Sequence, residues 1–102
     1  MVITKEIKTV MEDSAFLTII TMSPGGSPHP IIVGKGAVEG DSITAGVYAM
    51  KVTQENLTTN DCAMVLGSKM DEAGPNGYRL TGTAKVEGDK FVFTATKAEA
   101  SI

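Results

Sequence analysis

Few side chains in this sequence could carry out catalysis on their own. His29 is the one histidine, Cys62 is the one cysteine, and the chain has no tryptophan. A lone cysteine forms no internal disulfide, and one histidine with one cysteine gives no recognised metal-ligand spacing. No G-x-S-x-G elbow accompanies His29, so a hydrolytic triad is not expected. We interpret His29, between Pro28 and Pro30, as a residue of an edge strand, and Cys62 as a small core residue.

The segment at residues 46–56, GVYAMKVTQEN, is the stretch whose order of residues indicates a binding chemistry. A predicted strand ends there, Lys51 and Thr53 follow, and a predicted helix begins. A cation, a hydroxyl and the unpaired N–H groups of a helix N-terminus together bind phosphate. The same residues are also typical of a solvated lysine and a threonine cap, so the sequence leaves both interpretations open.

The elements that would position this segment follow from the spacing of the apolar residues. Apolar residues recur with helical spacing between residues 3 and 11, and Thr4 is a candidate cap, which predicts an N-terminal helix. A second, short helix is predicted at residues 50–60 and a long irregular loop at 68–77. Alternating and β-branched stretches between glycine-rich turns predict antiparallel strands in a sheet that closes on itself. These six predicted strands cover residues 15–22, 28–38, 42–47, 61–67, 78–86 and 90–96.

Composition limits the chain to one domain and disfavours several classes of function. A chain of 102 residues has room for a single core, so residues 1–102 are predicted to form one domain. The net charge is −3, and Arg79 is the one arginine beside scattered lysines, a composition that disfavours nucleic-acid binding. No apolar run approaches the ~20 residues of a membrane span, and the N-terminus does not resemble a secretion signal. We therefore expect a cytoplasmic protein with no membrane partner.

Five stretches of the sequence occur in an order that carries a family resemblance. They are FLTIIT at residues 16–21, GSPHP at 26–30, MKVTQENL at 50–57, MVLGS at 64–68 and YRLTGTA at 78–84. Behind an N-terminal helix, this order resembles the FMN-binding split barrels related to pyridoxamine 5′-phosphate oxidase, and among them the small bacterial FMN-binding proteins. The resemblance covers nearly the whole chain. It implies a mainly β fold: a six-stranded antiparallel split β-barrel with a short N-terminal helix and one inserted helix.

In that family two subunits hold FMN at their interface, so the resemblance implies a homodimer with FMN as its cofactor. It implies that Lys51 and Thr53 contact the phosphate, with Asn56 nearby on the same helix. Part of the second strand would lie along the isoalloxazine edge, and the segment before the second helix would approach the ring and the ribityl chain. These residues are Ile31, Ile32 and Val33 in the strand, and Gly46, Val47, Tyr48, Ala49 and Met50 in the segment.

The chain departs from the family pattern at three points. Ile32 and Val33 replace a polar pair in the second strand. Val52 separates Lys51 from Thr53, which are commonly adjacent, and no helix is predicted between the last two strands. The resemblance implies a flavoprotein that acts in electron transfer or as a small FMN-dependent oxidoreductase, with a small-molecule or protein redox partner. The alternatives are a split-barrel protein that binds deazaflavin, FAD or haem without redox catalysis of its own, and a structural or regulatory dimer with an empty cleft.

Overall fold

Two helices and seven strands make up the part of the chain that the computed structural model describes, residues 1–47 and 49–101. The helices are α1 (Lys5–Asp13) and α2 (Lys51–Thr59). The strands are β1 (Leu17–Met22), β2 (Pro28–Val33), β3 (Ala37–Glu39), β4 (Ser42–Gly46), β5 (Cys62–Asp71), β6 (Gly74–Glu87) and β7 (Lys90–Ala100). All pairings are antiparallel, in the order β2-β1-β5-β6-β7-β4-β3. The prediction of a mainly β, antiparallel fold is confirmed.

Helix α1 forms where the spacing of apolar residues predicted it. The Thr4 hydroxyl accepts a hydrogen bond from the Ile7 N–H at 3.3 Å, so Thr4 caps the helix as expected. Ile7, Val10 and Met11 are buried, and the helix packs against β5 and β6. A helix of nine residues is marginal in isolation, so this packing supplies most of its stability.

The core lies on the inner face of the sheet. Along β1, Leu17, Ile19 and Thr21 are buried, whereas Thr18 and Ile20 are half-buried on the outer face. The other strands that cross the middle of the sheet contribute their own alternate residues to the same core. The largest fully buried side chains include Phe91, Phe93, Met11, Leu17, Ile19, Ile43 and Leu80.

The predicted number of six strands is wrong, because the second predicted strand is interrupted. The segment at residues 34–36 separates β2 from β3. A Cβ atom at Gly36 would lie 2.7 Å from the Leu17 side chain and 3.2 Å from the Thr44 carbonyl oxygen. Glycine permits this close approach, and the chain leaves β2 there to pair β3 with β4. The result is a seven-stranded sheet whose end strands are β2 and β3, which do not pair with each other, so the prediction that the sheet closes on itself is wrong for the described residues.

The predicted loop at residues 68–77 is wrong as well. These residues extend β5 and β6 into a long hairpin in which Asp71 pairs with Gly74. Gly74 has a φ of 115°, which a residue with a side chain rarely adopts, so the glycine permits the tight reversal. Strand β7 likewise extends past its predicted end at residue 96, as far as Ala100, which pairs with Tyr78 of β6.

Helix α2 connects β4 to β5 and packs against β1 and β6. The turn at residues 87–90 joins β6 directly to β7, so the predicted absence of a helix between the last two strands is confirmed. Neither helix in the described part of the chain has the length and apolarity that a membrane crossing needs.

Candidate functional site

An apolar cleft of about 450 Å³ opens between β2 and the segment that joins β4 to α2. Its volume lies within the range of roughly 300–1,000 Å³ that is usual for small-molecule sites. The described lining consists of apolar side chains and glycine backbone, from Phe16, Ile31, Ile32, Val33, Gly34, Gly46, Ala49 and Met50. None of these residues titrates, so they offer shape and apolar surface rather than proton transfer.

Two large apolar side chains stand exposed at this cleft. Phe16 is 68% exposed and Ile32 is 72% exposed. Val52, in the first turn of α2, is a further large apolar side chain with substantial exposure. Single exposed apolar residues are common on protein surfaces, but two at one cavity indicate a surface that a ligand or another chain covers.

The backbone of β2 is open on the side away from β1, because β2 is an end strand of the sheet. Proline has no N–H, so Pro28 and Pro30 are tolerated where the backbone nitrogen points away from the neighbouring strand. The two-residue period of a strand directs the N–H and C=O of Ile32 to the same outer side. The main-chain N–H and C=O of Ile32 therefore give the cleft one hydrogen-bond donor and one acceptor beside its apolar lining.

The N-terminus of α2 continues the wall of the cleft. Met50 lines the cleft and is also the N-cap residue of α2, but its side chain makes no capping hydrogen bond. The first N–H groups of a helix have no partner within the helix. The Lys51 side chain is exposed and forms no salt bridge with any residue that the structure describes. A cation and the positive end of a helix dipole thus lie next to the apolar lining, an arrangement that binds anions.

The inner face of α2 carries a buried polar cluster. Asn56 is 3% exposed, and its Nδ2 donates to the hydroxyl of Thr21 in β1 at 3.0 Å. Thr53, one turn earlier, is 0% exposed, and its hydroxyl has no hydrogen-bond partner in the described part of the chain. A buried hydroxyl without a partner costs about 1–3 kcal/mol. Asn56 thus fastens α2 to the sheet, whereas Thr53 leaves a polar atom unsatisfied in the turn that begins at Lys51.

Most residues that the resemblance assigned to the ring and the ribityl chain line this cleft. The three residues that it assigned to the phosphate differ in exposure and do not share one open surface. Val47 packs against the core instead, and its N–H donates to the Asp89 carbonyl oxygen at 2.8 Å. Tyr48 lies outside the described residues. Lys51 follows the cleft lining directly, but Thr53 and Asn56 are buried, and their contact with a phosphate stays a prediction. The ring and ribityl residues that line the cleft are Ile31, Ile32, Val33, Gly46, Ala49 and Met50.

Sequence reasoning missed two residues of the cleft, Phe16 and Gly34. Phe16 directly precedes Leu17, and adjacent residues of a strand point to opposite faces, so the core could hold only one of this apolar pair. That adjacency was a usable signal. Gly34 has no side chain and joins the cleft through its position after β2, for which the sequence offers no comparable signal.

The two residues first considered for catalysis do not line the cleft. Cys62 begins β5 and is exposed, so its prediction as a core residue was wrong. His29 is half-buried in the end strand β2, opposite Thr21, which confirms it as an edge-strand residue. It shares a face of β2 with Ile31 and Val33. Among residues 1–47 and 49–101, no three His, Cys, Asp or Glu side chains form a group that could hold a metal ion.

The clearest ion pairs lie away from the cleft lining and join neighbouring elements. Lys69 of β5 places its Nζ 2.8 Å from the Asp13 carboxylate of α1, a contact that lowers the pKa of Asp13 and raises that of Lys69. Across β6 and β7, the Arg79 guanidinium lies 3.3 Å from Glu99 and lowers the pKa of that carboxyl. These pairs are exposed to solvent, and they connect elements rather than prepare an acid or a base for catalysis.

Solved structures share this arrangement of strands and helices. A protein named as a candidate pyridoxamine 5′-phosphate oxidase, from Lactobacillus delbrueckii, is 14% identical, with a TM-score of 0.79 over 95% of this chain and 93% of that chain. An FMN-binding protein from Syntrophomonas wolfei is 12% identical, with a TM-score of 0.75 over 93% of this chain and 83% of that one. HutZ, the haem storage protein from Vibrio cholerae, is 13% identical, with a TM-score of 0.68 over 98% and 95%. The chain has the pyridoxamine 5′-phosphate oxidase-like split-barrel fold.

The oxidase-like split-barrel fold is the one that the order of sequence stretches implied, and that resemblance is confirmed. Identities of 12–14% establish the fold and do not identify a ligand. No protein-family model matches the chain, and no curated protein sequence matches it either. The cleft and the N-terminus of α2 are therefore the features of this chain that bear on its function.

Proposed function

We propose that this chain is an FMN-binding protein whose cleft holds the isoalloxazine and whose α2 N-terminus holds the phosphate. One observation carries the proposal: Met50 lines the apolar cleft and is also the N-cap residue of α2, where its side chain makes no capping hydrogen bond, and Lys51 is next in sequence. A flat apolar ring with a phosphate on a short polar chain has two unlike ends. The site offers apolar lining for one end and an anion-binding terminus for the other.

The residues present suit the two ends of this ligand. The exposed N–H and C=O of Ile32 can pair with the polar edge of the ring through main chain, which does not need the polar side chains that the family often carries there. Lys51 supplies a charge-assisted contact to phosphate, and the first N–H groups of α2 supply further donors. Thr53 has no exposed surface, so its hydroxyl reaches a ligand only if the first turn of α2 opens.

The redox chemistry would belong to the flavin, which exchanges electrons when bound. The described cleft residues orient the ring and exclude water, and none of them is an acid or a base. We therefore propose a role in electron transfer or as a small FMN-dependent oxidoreductase, with a redox partner whose chemistry the site leaves open. A cytoplasmic location goes with this proposal.

A homodimer is part of the proposal, with FMN at the interface. Phe16 and Ile32 are exposed at the cleft, and Ile20, Met64 and Leu66 are half-buried on the outer face of β1 and β5. A second copy that covered this surface would bury apolar area at roughly 25 cal/mol per Å². It would also enclose a ring that one chain alone leaves partly open.

The test is a titration of the purified protein with FMN, followed by flavin absorbance and fluorescence. Lys51→Gln should weaken FMN binding by about 1–3 kcal/mol, or roughly 5- to 150-fold, because it removes a charged donor to the phosphate. Lys8→Gln is the matched control, since Lys8 is an exposed lysine of α1 that forms no salt bridge with a described residue. A colourless protein whose addition leaves the FMN spectrum unchanged would contradict the proposal, as would equal losses in the two variants.

Haem is a second candidate ligand, and one observation favours it. His29, the one imidazole of the chain, shares a face of β2 with two residues that line the cleft, and an imidazole nitrogen is a common haem ligand. A thermal-shift panel of FMN, FAD, deazaflavin and haem separates the ligands, because only a true ligand raises the Tm by mass action. A rise with haem alone, together with a Soret band that shifts, would assign the cleft to haem. No rise with any of the four would favour a dimer with an empty cleft.

A further inference from the structure

The last part of β7, residues 96–100, forms an edge of the sheet that no other strand covers. Strand β4 pairs with β7 only from Lys90 to Thr94, and the Ala95 N–H makes the last bond on that side, to the Asp41 carbonyl oxygen at 2.8 Å. Beyond Ala95, β7 has β6 on one side and no strand on the other within the described part of the chain. We propose that this edge is a self-association surface, on which a second copy of the chain pairs its own residues 96–100 in antiparallel orientation.

The hydrogen-bond pattern between β6 and β7 shows which main-chain groups are open on this edge. The Ser101 N–H donates to the Gly77 carbonyl oxygen at 3.0 Å, so these two residues occupy a hydrogen-bonded position of the antiparallel ladder. Such positions recur at every second residue, which directs the N–H and C=O of Ala98 and Ala100 away from β6. No main-chain bond joins Ala98 or Ala100 to another described segment on that side. Their donors and acceptors are therefore free to pair with a further strand.

A bulge at the start of this edge adds one more acceptor. Lys97 pairs with Thr81 and Ala95 pairs with Gly82, so Thr96 is an extra residue between them. The same two-residue period directs the Lys97 N–H towards β6. A trans peptide directs its C=O opposite to its N–H, so the Thr96 carbonyl, which shares a peptide group with that N–H, points to the open side.

An antiparallel copy centred on Ala98 matches these open groups. Ala98 then lies opposite Ala98 of the second copy, and the two residues exchange a pair of N–H···O=C bonds. The Ala100 N–H faces the Thr96 carbonyl of the second copy, and the two-fold symmetry repeats that bond. The side chains of Ala98 and Ala100 are small, so they do not hinder the close approach of two strands.

The charges on β7 select this register over its neighbour. In the register centred on Ala98, Lys97 of each copy lies opposite Glu99 of the other copy, on the outer face of the sheet. A register centred on Glu99 would pair Ala98 with Ala100 through as many main-chain bonds, but it would place Glu99 opposite Glu99. Opposite charges at facing positions stabilise a pair of strands, whereas like charges destabilise it. One register of the edge is thus complementary to itself, which favours a second copy as the occupant over a strand of another protein.

The side chains involved are accessible to a facing copy. The Lys97 side chain is 66% exposed and the Glu99 side chain 39% exposed. The Glu99 carboxylate lies 3.3 Å from the Arg79 guanidinium and 3.6 Å from the Lys97 Nζ of its own chain, so Lys97 of a second copy would extend an existing row of charges. Such rows contribute more than isolated surface pairs do.

The edge lies apart from the apolar surface that the proposed homodimer would cover. That surface lies on β1, β2 and β5, and β6 separates these strands from β7 in the sheet. The two contacts therefore do not overlap, and pairing through β7 needs neither FMN nor the cleft. A chain that uses both would join two cleft dimers into a larger assembly.

Sedimentation velocity of the purified protein, over a series of concentrations and without FMN, tests the proposal. Lys97→Glu and Glu99→Lys should each weaken one association step by at least about tenfold, because each change places like charges opposite each other at two symmetric positions. An equal mixture of the two variants should restore that step, since the acids of one chain then face the lysines of the other. Lys90→Glu is the control: it makes the same charge change on the same strand, at a position that β4 covers, and should leave the step unchanged.

Ala98→Pro is a second variant, whose effect does not depend on charge. The Ala98 N–H points away from β6, so proline removes the central donor of the proposed pairing without removing a bond to β6. The step should be lost in this variant, and far-UV circular dichroism checks that the variant is folded. In the unaltered protein, the amide protons of Ala98 and Ala100 should exchange slowly at high protein concentration and rapidly at low concentration.

Three results would overturn self-pairing at this edge. One is that the protein shows no association step that the Lys97→Glu and Ala98→Pro variants lose, which would leave the edge to a strand of another protein. Another is that the mixture of Lys97→Glu and Glu99→Lys associates no better than either variant alone. The third is that the Ala98 and Ala100 amides are protected at every concentration, which would mean that the chain covers its own edge. An association step that persists in all of these variants belongs to another surface, so the proposed cleft dimer is tested separately.

Discussion

Substitution of Gly82 by alanine tests the packing of the sheet more sharply than any change at the surface. Gly82 lies at the irregularity of register between β6 and β7, in the middle of the sheet. A Cβ atom at this position would lie 2.8 Å from the Thr94 carbonyl carbon and 3.0 Å from the Ala95 Cα, and closer still to the Thr94 carbonyl oxygen. These neighbours are backbone atoms of a paired strand, so no side-chain rotation relieves the clash.

The expected cost follows from this geometry. Overpacked core substitutions cost about 1–3 kcal/mol, and a clash with backbone belongs at the upper end, about 3 kcal/mol. With an m-value of about 1.5 kcal/mol per M, a loss of this size displaces the urea midpoint by roughly 2 M. The free energy of unfolding of a small domain is about 5–15 kcal/mol in total, so Gly82→Ala removes a large part of it.

The assay is equilibrium urea denaturation, followed by far-UV circular dichroism. Gly25→Ala is the control, because the nearest atom to its Cβ would be the Ser23 Oγ at 4.0 Å. That control should change the free energy of unfolding by less than about 1 kcal/mol, and in the stabilising direction. If Gly82→Ala unfolds within about 0.5 kcal/mol of the unaltered protein, the account of the close packing between β6 and β7 is refuted.

Two further predictions concern polar contacts outside the cleft lining. Asp41 accepts a hydrogen bond from the Ile3 N–H at 2.9 Å, which lowers the pKa of its carboxyl. The charged form is therefore favoured in the folded state, so Asp41→Asn should reduce stability at neutral pH, and the difference should vanish as the pH falls from the ordinary value of 3.8 through the lowered pKa. Thr21→Val should cost about 1–3 kcal/mol because it leaves the buried Asn56 amide without its acceptor, and adding Asn56→Leu should recover part of that loss in urea denaturation. A pH-independent difference for Asp41→Asn, or strictly additive losses for the Thr21 and Asn56 pair, would contradict these expectations.

The elements that form from residues close together in sequence were predicted correctly. Helix α1 has its cap at Thr4, and the alternation of β6 places its apolar residues inside, as the spacing indicated. Residues 68–77 were predicted to form a loop because Pro75 and the Asn76–Gly77 pair are typical of irregular backbone. However, the residues of β6 that precede Tyr78 form ladder pairs only with β5, so the backbone nitrogen of Pro75 can point to the open side. That tolerance depends on where another strand ends, which spacing does not reveal.

The same distinction applies to the site. The segment from Gly46 to Lys51 could be predicted as part of a binding site because its residues are adjacent in sequence. The end of a strand, the wall of the cleft and the start of a helix follow one another along this segment. Lys90 meets Gly46 only through the pairing of β7 with β4, and Phe16 joins the cleft across the sheet from Met50. Contacts between residues this far apart in sequence are products of the whole topology.

The prolines of β2 have a consequence for how this protein meets other chains. A free strand edge can pair with a strand of another chain, and such pairing underlies domain swapping and fibril growth. Pro28 and Pro30 withhold two successive donors, so an incoming strand would find an incomplete ladder along most of β2. Of the three residues of β2 that face this edge, only Ile32 has both a main-chain N–H and a C=O. Such an edge offers too few main-chain donors to pair with a strand of another polypeptide, whereas the single N–H and C=O of Ile32 are enough for the proposed contact with a small heterocycle.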